Sequence, residues 1–358
     1  MSKISNWQPV IDKFKKRLSL WKARTLSFGG RLCLCKAVLG SLGTYFFSLY
    51  RAPKKVLHTL ESLRRRFFWG ITENSKGINW IAWNKVLREK KSGGPGIGSL
   101  LALNLAMLGK WRWREKMEPN ANWLKVVRSS RDRNNRSSNR VWQRIKSIDT
   151  YFDELGINFS NLMQQNSERW AWTLEPSNNF SVCSFRKLID SKVLPPADQE
   201  TIWVKWATNK ANIHLWRSLR NSLATMDNLF VRGVVLPSVD CKLCNAKPES
   251  LNHIFVDCSS AKLVSAHLSQ WVEWWPTNAT NVTGLWTHID QGSTNKVQRN
   301  VRRLLAATFF WALWKQRNGK VFGGPGKSEK ELSEEIKLIA FDWIRYRAHF
   351  GRLLLWEN

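Results

Sequence analysis

The chain has 358 residues, with 57 Lys and Arg against 27 Asp and Glu, a formal charge of +30. Hydrophobic residues make up 43%, which argues against wholesale disorder, and the length suits about two or three domains. A surplus this large self-repels unless a polyanion offsets it, and nucleic acid is the commonest such partner. The 22 Trp suit either base stacking or an aromatic core, and the core is the commoner destination.

The start, Met1-Ser2-Lys3-Ile4-Ser5-Asn6, lacks the apolar stretch of a signal peptide. The longest uncharged run, residues 37–50, is interrupted by Gly40 and Gly43 and is too short to span a bilayer. Six Cys, unevenly placed, do not make a secreted disulfide scaffold. An intracellular protein of the nucleus or cytoplasm, without membrane attachment, is expected.

Trp7, Ile11, Phe14, Leu18 and Trp21 recur at 4-3-4-3 spacing, which predicts a first helix with Lys13, Lys15, Lys16 and Arg17 between them. Phe28-Gly29-Gly30 reads as a break before an apolar helix over 31–45. Pro53 opens a helix over 54–68 with Val56, Leu60, Leu63 and Phe67 on one stripe and Arg64-Arg65-Arg66 on its other faces. Gly93-Gly94-Pro95-Gly96 marks a loop. A helix over 100–116 then ends in Lys110-Trp111-Arg112-Trp113-Arg114. Residues 1–117 hold 24 Lys and Arg and 5 Asp and Glu, so a surplus of 19 lies in the first third.

Residues 128–140 are polar, rich in Ser and Asn and without apolar periodicity, and a linker is drawn over 128–165. Arg169 to Leu174 and Phe180 to Val182 flank Glu175-Pro176-Ser177-Asn178-Asn179, the pattern of a short hairpin, and a helix follows over 184–191. Residues 199–232 are again helical in pattern, with Ile202, Trp203, Trp206, Ile213, Trp216 and Leu219 apolar. Thr225 reads as the N-cap of a short helix that Gly233 ends. The tail predicts an apolar helix over 304–314, a Gly-Pro-Gly break at 324–326, and a mixed-charge helix over 328–349.

Chemistry is concentrated in Cys241-Lys242-Leu243-Cys244, His253 and Cys258, a C-x2-C-x8-H-x4-C pattern. Thiolates two residues apart can grip one zinc ion from a tight knuckle, and the His and last Cys complete a tetrahedron. Three thiolates and one imidazole leave no position for water, so the site is structural. The alternative is chance clustering of buried residues. Cys33 and Cys35, in an apolar helix, and Cys183, in a strand, read as packing residues. His58, His214, His267, His288 and His349 have no thiolate or carboxylate partner in the pattern and read as surface or interface residues.

The stretch from Ile202-Trp203 through Ala211-Asn212-Ile213, Leu215-Trp216-Arg217, Leu223 to Leu229, Arg232-Gly233, the Cys/His cluster, Glu249-Ser250 and His253-Ile254-Phe255 resembles the reverse-transcriptase zinc-binding domain. That domain follows the polymerase in plant non-LTR (LINE-type) retrotransposons. Leu26 to Arg31, Pro53, Arg66 to Gly70, Trp80, Trp83, Gly93 to Ile97 and Asn104 through Arg114 are similar to the thumb and connector behind the palm of such elements. The resemblance covers residues 7–275; the tail, with Phe310-Trp311, Trp314-Lys315, Arg317-Asn318 and Phe322, is similar to the weakly defined end of these reading frames. It implies a mainly α chain: a basic thumb/connector-like helical region over 1–127, the linker, a zinc-binding domain over 166–275 that includes the hairpin, and a helical tail over 276–358.

A polymerase needs paired aspartates for two Mg2+ ions, and no Asp-Asp dipeptide occurs in this chain. Tyr151-Phe152-Asp153-Glu154 imitates the catalytic hairpin but follows the thumb-like region, and the tail has few acids for a ribonuclease H site. No Gly-x4-Gly-Lys-Ser/Thr phosphate loop is present; Gly93-Gly94-Pro95-Gly96 lacks the following Lys-Ser/Thr, precedes an apolar helix and reads as a turn. The expectation is a non-catalytic nucleic-acid binder with one structural zinc ion, partnering RNA or DNA and no small-molecule substrate. Arg64, Arg65, Arg66, Lys110, Arg112 and Arg114 are the expected contacts, with Trp111 and Trp113 either stacking or core. The alternatives are the C-terminal part of an active RNA-directed DNA polymerase whose palm lies outside this chain, or an unselected transposon fossil.

Overall fold

A computed structural model describes residues 3–19, 26–71, 77–129, 140–166, 169–196 and 203–348. The chain is mainly helical and divides into two compact units, Met1–Ile202 and Trp203–Asn358.

The first unit begins with α1 (Gln8–Ser19), α2 (Phe28–Ala37), α3 (Thr44–Leu49) and α4 (Lys54–Trp69). Trp7, Ile11 and Phe14 are buried as the 4-3 spacing requires, Leu18 is half-buried, and Trp21 lies outside the described residues. The Gly29-Gly30 pair does not break the chain. Ser27 caps α2 by accepting from the Gly30 amide, so the glycines occupy the first helical turn. The expected helix over 31–45 is split between α2 and α3. α4 runs from Pro53 to a left-handed Gly70, whose amide and that of Ile71 reach back to Phe67 and Arg66.

After α5 (Trp83–Leu87) comes α6 (Leu100–Met117), the central helix of the unit, buried on nearly every side. Carboxylates converge on its N-terminus, where amides are unpaired and the dipole is positive. Glu61 accepts from the Leu100 amide at 2.7 Å and Asp190 from the Ser99 hydroxyl at 2.6 Å, while Ser99 caps Ala102. Asn104, buried on α6, accepts from the Ala52 amide and donates to the carbonyls of Phe47 and Tyr50, pinning the α3–α4 turn.

Residues 140–165 are not a linker. α7 (Asn122–Ser129), α8 (Arg140–Lys146) and α9 (Ile148–Glu154) bring Leu124, Trp142, Ile145, Ile148 and Phe152 into one core with Ala102, Leu105, Leu108 and Trp113 of α6. Residues 130–139 of the polar stretch lie outside the described residues. The hairpin is also displaced: β1 (Met163–Asn166) pairs antiparallel with β2 (Arg169–Trp172), Met163 opposite Trp172. Residues 180–182 form no strand, because Ser181 caps α10 (Val182–Val193) through the amides of Cys183 and Ser184. α10 packs on α6 where Gly109 lets the Phe185 ring approach. The hairpin and α10 thus belong to the first unit, and the division falls at 202/203, beyond the expected start of a separate domain at 166.

The second unit holds α11 (Asn209–Ser218), α12 (Met226–Val231), a π-helical turn His253–Asp257, α13 (Ser259–Trp271), α14 (Val282–Gln291), α15 (Lys296–Val321) and α16 (Glu329–Arg347). Ile202 lies outside the described residues, and the expected continuous helical pattern over 199–232 resolves into α11 and α12 joined by turns. The tail is integral to this unit, since α15 packs on α11, α14 and α16, and α16 on α13. Ser328 and Glu331 form a capping box on α16. No helix among the described residues is long and apolar enough to cross a membrane.

Candidate metal centre and nucleic-acid interface

The knuckle begins as two antiparallel segments. Asp240 bridges Pro248, the Cys241 amide donates to the Lys247 carbonyl, and the Glu249 amide donates to Val239. Asn245 closes the turn in the left-handed region, φ 53°, its amide on the Cys241 carbonyl at 2.7 Å. His253 opens the π-helical turn, and the Cys258 amide returns to the His253 carbonyl at 2.7 Å. Cys258 then stands at the N-cap of α13. The local backbone therefore brings all four side chains to one point.

Their ligand atoms lie within 4.8 Å of one another. Cys241 Sγ and Cys258 Sγ are 4.0 Å apart, and Cys244 Sγ is 3.2 Å from His253 Nε2. A tetrahedron with metal–sulfur bonds near 2.3 Å has edges of about 3.8 Å, so the spacing fits one ion at the centre. The donor set also fits in its surroundings. The amides of Leu243 and Cys244 face the Cys241 sulfur, and those of Ser260 and Ala261 face Cys258, the arrangement that stabilises thiolates. The contact between the Cys241 and Cys258 sulfurs pushes the Cys241 thiol up and holds Cys258 down. The remaining cysteines divide differently from expectation. Cys35 is buried and pushed up to about 12 by that burial, whereas Cys33 and Cys183 are exposed, and Cys183 is helical.

Between Cys244 and His253 in the chain, Glu249 is fully buried, accepting from the Met226 amide and from Arg317 of α15. Sequence reasoning named both residues without connecting them, because 68 positions separate them and nothing local signals the pair.

The six basic residues expected to face nucleic acid do not share one environment. Arg64 is 0% exposed; its Nη1 donates to both Glu61 oxygens at 2.9 Å and, with Nη2, to the Gly98 carbonyl. It belongs to the core because 60, 64 and 67 fall on one helical stripe. Arg65 and Arg66 are half-buried, with Arg65 reaching Ser62. Lys110 is exposed. Arg112 pairs with Glu115 and Asp149, and Arg114 pairs with Glu118 while lying over Trp111 and Trp123. Trp113 is buried against Trp172 and Phe180, and Trp111 donates to the Ser48 carbonyl, so this aromatic pair serves the fold. Lys13, Lys15, Lys16 and Arg17 of α1 and Lys54, Lys55 and His58 of α4 are exposed, on two helices that pack together. The signal for them was the polar side of the two stripes.

A Cys3His cluster on a helical unit, spaced to hold a metal ion, is the class that this geometry defines. Residues 180–264 match the sequence profile of a family described as zinc-binding in reverse transcriptase. The chain thus carries a zinc-binding domain of the reverse-transcriptase type. It is 23% identical, over 97% of its length and 68% of the relative's, to an Arabidopsis thaliana protein provisionally named a ribonuclease H protein. An uncharacterized mitochondrial protein of the same plant is 32% identical over 25% of this chain and 58% of its own length.

Proposed function

We propose that the chain is a nucleic-acid-binding, non-catalytic remnant of a non-LTR retrotransposon polyprotein that folds around one structural zinc ion. The convergence of Cys241, Cys244, His253 and Cys258 carries this reading. Four protein donors complete the coordination shell and leave no open position for a reacting water. When bound, the zinc supplies a cross-link between the knuckle and the start of α13. The exposed cations of α1 and α4, with Lys110, offer phosphate contacts to RNA or DNA. Absence of catalysis is supported by the lack of an Asp-Asp dipeptide. The name of the first relative favours a second reading, in which the chain is part of a longer ribonuclease H-type enzyme.

Fluorescence anisotropy on labelled RNA and DNA duplexes between 50 and 200 mM salt tests the binding. Four or more phosphate contacts predict a fall in affinity of about 10²-fold across that range. Replacing Lys15 or Lys54 by Ala should lower the log–log slope by about one each with the fold intact. Replacing Arg64 should instead destabilise the first unit by about 3–5 kcal/mol, because Glu61 is left without its buried partner. Salt-independent affinity sinks the proposal. Cleavage of an RNA–DNA hybrid with Mg2+ present would favour the enzyme.

A further inference from the structure

Glu249 lies in the chain between Cys244 and His253, and every polar group it has is engaged. Its amide donates to Val239 at 2.8 Å, its carbonyl accepts from Asp227 at 3.1 Å, and Oε1 accepts from the Met226 amide at 3.0 Å. Arg317 of α15 completes the set: Nε donates to Oε1 and Oε2 at 3.1 and 3.0 Å, and Nη2 to Oε1 at 2.5 Å. The two side chains are 0% and 4% exposed. A carboxylate so buried is strongly destabilising without its cation, so Glu249 holds this place only while α15 is docked. α15 grips the knuckle a second time, through Lys320 Nζ on the Leu243 carbonyl at 3.3 Å, between the first two cysteines. Next to Cys258, Ser260 donates to Glu329 of α16 at 2.9 Å. The knuckle and the start of α13 are therefore each held by a tail helix, although the matched zinc-binding segment ends at residue 264.

We propose that Glu249 and Arg317 are positioning residues for the metal, a clasp that links ion binding at Cys241, Cys244, His253 and Cys258 to docking of α15. The inference rests on the metal-binding reading above. Linkage is reciprocal: if docked α15 raises metal affinity, the metal must stabilise docked α15 by the same factor. The metal-binding fold then extends to at least residue 317.

The test uses the full chain. Zinc affinity is measured by chelator competition, and Co2+ loading reads the coordination geometry through its visible absorption. Arg317→Met should weaken zinc by about 10–100-fold and alter the Co2+ bands. Arg317→Lys should recover only part, since an ammonium cannot reproduce the two-pronged contact. Adding Glu249→Met to Arg317→Met should cost less than the sum of the single changes, because neither buried charge is then orphaned. In the unaltered chain, removing zinc should speed amide exchange along α15, a measurement that needs no variant to fold. Equal zinc affinity and Co2+ spectra in Arg317→Met, or α15 exchange indifferent to zinc, overturns the clasp. Failure of the unaltered chain to take up either ion overturns the metal reading itself, a distinct result.

Discussion

Two buried titratable side chains give the units opposite responses to acid. His214 is enclosed by Phe255, Trp311 and Trp314, with Nε2 on the Phe310 carbonyl at 3.1 Å; burial lowers it to about 3. Read from the sequence as a surface or interface residue, it is instead buried, because its aromatic neighbours come from the π-helical turn and from α15. Below an unfolded value of 6.5 the unfolded chain gains a proton that the folded one refuses. The second unit should therefore lose about 1.4 kcal/mol per pH unit between roughly 6.5 and 3 from this group. Asp190 runs the other way. Burial raises it from 3.8 to about 6, so its contribution to the first unit is present at low pH and lost as pH rises through that window. Amide exchange measured unit by unit at pH 4.5 and 6.5 checks both: His214→Asn should flatten the slope of the second unit, and Asp190→Asn that of the first. An unchanged slope in His214→Asn would refute the assignment.

The helices of the first unit were legible where one stripe faces one neighbour, as in α1 and α4. They were not legible over 140–165, where a polar stretch drew attention from Trp142, Ile145, Ile148 and Phe152, whose 3-3-4 spacing was signal enough. The second strand of the hairpin was lost to a cap, since Ser181 satisfies the amides that start α10. The α6–α10 contact offers a sharp test of packing against propensity. A Cβ on Gly109 would meet Phe185 Cε1 at 2.6 Å. Alanine favours a helix over glycine by about 1 kcal/mol, but overpacking costs about 1–3 kcal/mol, so Gly109→Ala should destabilise the first unit on balance. Urea unfolding measures it, and Phe185→Leu in the same chain should relieve the loss. A stabilised Gly109→Ala would mean that α6 and α10 stand further apart.

At the scale of the whole molecule, the basic helices α1 and α4 and the Cys3His cluster belong to different units. The basic α1 and α4 lie in Met1–Ile202, whereas the four donors and the tail helices that hold Glu249 lie in Trp203–Asn358. If the cluster holds an ion, stripping it with a strong chelator should collapse exchange protection in the described residues of the second unit and leave that of the described helices of the first unit intact, since metal-binding free energy is folding free energy where the donors are. Loss of protection in both units, or in neither, would show that the division does not govern stability.

The sequence by itself determined the gathering of the four Cys and His side chains and the predominance of helix. A C-x2-C knuckle and a His-x4-Cys turn are built by short stretches of backbone, and apolar spacing of three and four is a local property. It also determined the size of the positive surplus and its concentration in the first third. Which cations remain exposed was a tertiary decision: Arg64 is enclosed by Glu61 and Gly98, and Arg112 and Arg114 are paired with acids, whereas Lys110 and the outward faces of α1 and α4 keep their charge in solvent. The partnership of Glu249 with Arg317 was decided in the same way. It joins residues 68 positions apart, and a long-range pair forms only when intervening helices bring two buried charges into one dry place, where each needs the other.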